Sequence, residues 1–177
     1  MDWEGLLLKS SEKLVMPSDA RANPSKYSGM QIYWVGVIDT LLLSPQGANV
    51  LASLVVDQKY YDYVEDFGPQ HERMFVSPYG EGKFLFDKIF LNTGMDSVKV
   101  KFRNFPSNGT LAFCYGTFSA IRDSLPVLTA INARFVPSER FATDIFSYRA
   151  KRDSLGNIIS DERGFPDLMD FKILRVH

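Results

Sequence analysis

The stretch "KYSGMQIYWVGVIDTLLL", residues 26–43, decides how this chain is read. Met30, Ile32, Trp34, Gly36 and Ile38 alternate with Gln31, Tyr33, Val35, Val37 and Asp39, the period-2 pattern of a strand with one heavily apolar face. Gly29 is placed to start the strand from a turn. Gly36 suits an inward position where a long strand must coil, because no side chain crowds the bend. Trp34, two residues earlier on the same face, is sized to fill a barrel interior.

Downstream, "SPQGAN" supplies a turn, and "VLASLVVDQKYYDYV" (50–64) is β-branched early and aromatic late, which favours a strand. "EDFGPQHER" breaks it. "MFVSPYGEGKFLFDKIF" (74–90) is predicted as one strand interrupted at "SPYGEG", because Pro78 removes a ladder donor and two glycines follow. After a polar connector containing "NTGMDS" and "FPSNG", the runs "TLAFCYGTFSAI" (110–121) and "PVLTAINARFV" (126–136) are joined by "RDSL", which suits a hairpin. Five strands, with the longest polar connection between the third and fourth, fit an all-β fold: a small OB-like five-stranded Greek-key barrel. Residues 1–26 are expected as an N-terminal extension or linker, 27–137 as the barrel, and 138–177 as a C-terminal extension packing on the barrel or a partner. Within that tail the residues fit either a helix capped by Ser138 or a hairpin turning at 155–157, and the hairpin is preferred.

Composition narrows the functional classes. Twenty basic and twenty-one acidic residues leave a net charge of −1, so no global field draws the protein to phosphate backbones or anionic lipid. The 45% hydrophobic and 14% aromatic content supplies the core of one domain. No apolar run approaches the eighteen or so residues needed to cross a bilayer as a helix. The start, "MDWEGLLLKSSEKL", has no signal-peptide pattern, which fits a cytoplasmic protein or a processed form. The single cysteine, Cys114, sits in "LAFCYG" and reads as a packed thiol.

No residue set announces a reaction. The chain has two histidines, and His71 in "GPQHER" has no nucleophile elbow to serve, so it reads as a loop residue; a hydrolase site around His71 and Glu72 is the least supported reading. Two histidines and one packed cysteine do not make a zinc site. "YGEGKF" lacks the P-loop's first glycine and its Ser or Thr after the lysine. Asp57, Asp62, Glu65 and Asp66 match no calcium loop and read as a solvated strand end. No catalytic residue, cofactor or metal is therefore expected. The candidate binding surface is Tyr33, Lys59, Tyr60, Tyr61 and Tyr63, which Phe84 and Phe86 would extend. OB barrels stack bases on such aromatics, although the interleaved acids would repel phosphate and favour a protein contact.

The pattern Tyr27-x-Gly29-x-x-x-x-Trp34-x-Gly36-x-Ile38 resembles the opening of the Slp family of starvation-inducible outer-membrane lipoproteins. "GEGKFLF" (80–86) resembles a later strand of that family, and "TLAFCYGTFSAIRDSLPVLTAINARFV" (110–136) resembles its closing hairpin followed by a Pro-Val-Leu strand. The resemblance implies an envelope protein of Gram-negative bacteria, acylated on a mature N-terminal cysteine and facing the periplasm, with no catalytic residues to transfer. The implied partners are envelope proteins, with the membrane reached through a lipid anchor that this chain does not carry. The absence of a cysteine near the start fits a chain cut after the lipid-bearing residue, or a protein outside the family. The leading expectation is a non-enzymatic outer-membrane protein that binds other proteins, as one subunit of an assembly. The alternative is a cytoplasmic OB module binding single-stranded nucleic acid.

Overall fold

The structure, a computed structural model, describes residues 3–46, 49–64, 73–92, 106–138, 141–143 and 154. The chain divides into two compact units, one of residues 1–58 and 81–138 and the other of residues 59–80 and 139–177.

The first unit is the expected barrel. Strands β1 (Gln31–Gln46), β2 (Asn49–Gln58), β5 (Lys83–Asn92), β6 (Leu111–Arg122) and β7 (Leu125–Val136) close in the order β1-β2-β5-β7-β6. All neighbours are antiparallel except β5 and β7, whose short parallel stretch joins Leu85–Asp87 to Val127–Thr129. β1 serves both halves: Gln31–Val37 pair with β6, and Gly36–Gln46 pair with β2.

Gly36 sits where those two ladders overlap. A Cβ there would lie 2.3 Å from the backbone oxygen of Asp57, so only glycine lets β1 and β2 approach this closely. The interior is filled by alternate side chains, including Ile32, Trp34, Ile38, Leu54, Phe84, Phe86, Phe118 and Leu128, all essentially inaccessible. Trp34, 1% exposed, meets the Phe84 ring edge-on at 4.9 Å. The β6–β7 hairpin is tighter than "RDSL" implies. Its two turn residues, Asp123 and Ser124, both take positive φ (50° and 66°), the geometry of the primed turn that matches strand twist.

Residues 1–26, expected as an extension or linker, carry short helices. These are α1 (Trp3–Ser10), α2 (Pro17–Ala22) and α3 (Pro24–Tyr27), and the middle of the segment packs onto the barrel. Glu12 pairs in parallel with Ile32 along the edge of β1 that β2 does not cover. Trp34 Nε1 donates to the Val15 carbonyl at 2.7 Å, while Val15, Met16, Pro17 and Ala20 are buried. A tryptophan in an apolar interior needs a partner for its N–H, and the N-terminal segment provides it. Pro17 starts α2, and Asp19 accepts the Met16 backbone N–H at 2.9 Å.

The runs 50–64 and 74–90 each split in two. β2 ends at Gln58, and Tyr61–Val64 form a separate strand, β3; β4 (Arg73–Val76) likewise precedes β5. β3 and β4 pair antiparallel, and β8 (Phe141–Thr143) joins β4 in parallel, giving a three-stranded sheet in the second unit. Gln58, nearly inaccessible, marks where the chain leaves and re-enters the barrel: its N–H donates to Gly82 O at 3.1 Å, and its Oε1 accepts from Glu81 N at 2.6 Å. The helix or hairpin expected over 138–177 falls, apart from β8, outside the described residues. Among the described residues no helix is long and apolar enough to cross a membrane.

Candidate functional site

The five residues proposed from sequence lie in different surroundings. Tyr33 belongs to the barrel. It is 7% exposed and stacks on Tyr115 at 4.7 Å, in an outward-facing but buried aromatic group that includes Phe113. Arg134 lies over the Phe113 ring at 4.2 Å. Lys59, Tyr60, Tyr61 and Tyr63 belong to the second unit. Lys59 Nζ donates to the Pro78 carbonyl at 2.9 Å, and Tyr60 exchanges backbone hydrogen bonds with Ser77 and Tyr79. Lys59, Tyr60 and Tyr61 are half-buried, and Tyr63 stands opposite Met74 in the β3–β4 pair.

Phe84 and Phe86, expected to extend an aromatic platform, instead point into the barrel and are fully buried. The sequence pattern already carried the reason: they fall on the same alternation as the inward residues of β5. Asp57 is half-buried at the end of β2. Glu65, Asp66, His71 and Glu72 lie outside the described residues. Cys114 is a packed core thiol, and burial pushes its pKa well up, so it does not supply a thiolate. Among the described residues no group of three His, Cys, Asp or Glu side chains could hold a metal ion.

The surface that stands out was missed by sequence reasoning. β1 and β5 both leave the barrel wall at bulges. In β1 the register slips between Ile38 and Thr40, leaving Asp39 as the extra residue. In β5, Asp87 and Lys88 together face Ser53, with Lys88 at φ 64°. Beyond these points β1 no longer pairs with β6, nor β5 with β7. Thr40–Gln46, Asn49–Ala52 and Ile89–Asn92 then continue as a three-stranded arm. Leu42 and Leu43 on its outer strand are 54% and 51% exposed.

The arm's root is held by a clasp of charge and hydroxyl. Asp87, 6% exposed, accepts from Ser53 Oγ at 2.5 Å and from the Lys88 N–H at 2.9 Å, and Arg122 Nη1 reaches its other oxygen at 2.9 Å. Burial alone would raise the Asp87 pKa. The hydrogen bonds from Ser53, Arg122 and the Lys88 backbone, with the charge of Arg122, outweigh that and hold it below the ordinary value. At the other bulge Lys83 Nζ pairs with Asp39 at 3.0 Å. The run "DTLLLSPQ" showed the apolar residues but not that they outlast the barrel, because strand length beyond closure depends on where the partner strands stop.

No family model matches the chain, and no curated protein matches it. Among solved structures it is similar to a protein from Klebsiella pneumoniae subsp. pneumoniae MGH 78578 described as a "putative nucleic acid-binding lipoprotein". The two are 15% identical with a TM-score of 0.35, over 73% of this chain and 95% of that one. The barrel is defined by this chain's own strand pairing.

Proposed function

We propose that this chain is a non-enzymatic binding protein of the bacterial envelope, an Slp-like outer-membrane lipoprotein domain that acts through contact with another protein as a subunit of an assembly. The observation that supports it most is the arm, where two adjacent leucines more than half exposed stand on a sheet whose root is held by the bonds of Ser53 and Arg122 to Asp87. A barrel interior occupied by Trp34, Phe84, Phe86 and Phe118 fits a protein that acts through its surface. The envelope location rests on the residues that resemble the Slp opening, Tyr27, Gly29, Trp34, Gly36 and Ile38.

Two experiments test the reading. The intact mass and N-terminal peptide of the protein from its native membrane fraction are expected to show an acylated cysteine upstream of Met1. An unlipidated chain in the soluble fraction overturns the location. A photo-crosslinking residue in place of Leu43 is expected to give protein adducts in living cells, with none from the same residue at Ile131, exposed elsewhere on β7. Salt-sensitive binding of labelled single strands, without adducts at position 43, would replace the reading with the nucleic-acid one.

A further inference from the structure

The outer edge of β1 is occupied as far as Ile38, whose N–H donates to Thr110 O at 2.9 Å and whose carbonyl accepts from Gly109 N at 2.8 Å. Past the Asp39 bulge, no described strand pairs with that edge. An edge that no described residue pairs with, carrying apolar side chains on both faces, is a template for another strand. Natural sheets usually guard such an edge with charge, proline or a bulge. Here the guards sit at the ends, the Asp39 bulge on one side and Pro45 on the other, and the five residues between them carry no charge.

Those five residues, Thr40-Leu41-Leu42-Leu43-Ser44, have a pattern symmetric about Leu42: hydroxyl, leucine, leucine, leucine, hydroxyl. An antiparallel partner carrying the same segment places Leu42 against Leu42, each Leu41 against a Leu43, and each Thr40 against a Ser44. Apolar meets apolar and hydroxyl meets hydroxyl at every position. Such self-complementarity is what a two-fold interface requires. The net charge of −1 adds little repulsion between copies, and Asp39, next to the segment in sequence, is paired with Lys83.

We infer that a second copy of this chain docks edge to edge on Thr40–Ser44 of β1, joining two three-stranded arms into one six-stranded sheet across a two-fold axis at Leu42. This deepens the protein-binding reading above and rests on it. A contact confined to five residues per strand lies at the small end of specific interfaces, so the dimer is expected to dissociate in the micromolar range, on the order of 10 to 100 μM.

Sedimentation velocity over a concentration series tests it with the full chain. The wild type is expected to pass from monomer to dimer, and Leu42→Lys, which sets two like charges against each other, to weaken the dimer roughly tenfold or more. Position 42 is exposed, so an unchanged melting temperature confirms that the variant folds. A second variant reads the register: Leu42→Cys is expected to form an intermolecular disulfide under mild oxidation, and Ile131→Cys is not, the native Cys114 being buried. A wild type that stays monomeric into the high micromolar range overturns the inference, as does a dimer that Leu42→Lys leaves intact. If the chain is monomeric yet position 43 cross-links to a protein of another mass in cells, self-pairing fails and the protein-binding reading stands. If neither occurs, both fail.

Discussion

Both halves of β1 carry large apolar side chains, six in Gln31–Ile38 and the three leucines of Asp39–Gln46, and these meet different fates. In Gln31–Ile38, both alternating sets are covered: Ile32, Trp34 and Ile38 inside the barrel, and Tyr33 and Val35 on its outer wall, all buried. In Asp39–Gln46, Leu41 packs against the core, while Leu42 and Leu43 stand in solvent. A leucine's own hydrophobicity therefore does not secure its burial on this strand. The first half is paired on both sides, by β6 and by the Glu12 segment, and is wrapped into a closed wall; the second half, among the described residues, is paired only with β2 and has left the wall at a bulge.

If closure is what distinguishes the halves, substitutions in them should rank accordingly. Trp34→Ala removes the largest interior side chain and the hydrogen bond that fastens the N-terminal segment. It is expected to cost about 3 to 5 kcal/mol of unfolding free energy, read from urea denaturation. A loss below about 1 kcal/mol would mean that the interior does not carry the fold. Gly36→Ala forces a methyl against the Asp57 backbone where the two ladders meet. An expected loss of about 2 to 3 kcal/mol, measured in the same way, separates a packed glycine from a merely flexible one.

The boundary between the halves is tested at Asp87. Asp87→Asn should cost about 1 to 3 kcal/mol by weakening the bonds from Arg122 and Ser53. Its pH signature follows from linkage. The folded-state pKa of Asp87 is depressed below 3.8, so its stabilisation is present above that value and is lost as the pH falls through the lower folded-state pKa. Thermal melts between pH 5 and pH 2 should show the wild type losing this increment while Asp87→Asn, lacking the group, does not. Identical acid profiles would show that the clasp contributes nothing. The smallest effect belongs to the arm itself: Leu43→Lys should shift stability by no more than about 0.5 kcal/mol, the usual range for an exposed site. A larger loss would mean that the second half of β1 is covered after all, and would dissolve the contrast.

Much of the barrel was legible because its signals are local. The alternation around Trp34, the Gly29 turn and the two runs flanking Asp123 and Ser124 mark strands and a hairpin from a few neighbouring residues each. The aromatic site fared differently. Tyr33 and Lys59–Tyr63 share an appearance in sequence, yet they fall in separate units, and Phe84 and Phe86 are claimed by the interior. The arm was invisible because nothing in "TLLLS" records that β6 stops pairing at Val37.

The sequence by itself determined that the chain is all-β, where β1, β2, β6 and β7 begin, and which face of β1 turns inward, since period-2 alternation and turn residues act over a few residues. Only the tertiary structure decided that residues 59–80 leave the barrel at Gln58, that the N-terminal segment caps Trp34, that β5 closes in parallel on β7, and that Leu42 and Leu43 remain in solvent. Each of these depends on which distant strand arrives at a given edge, and that is settled by closing a sheet across long loops rather than by any local preference.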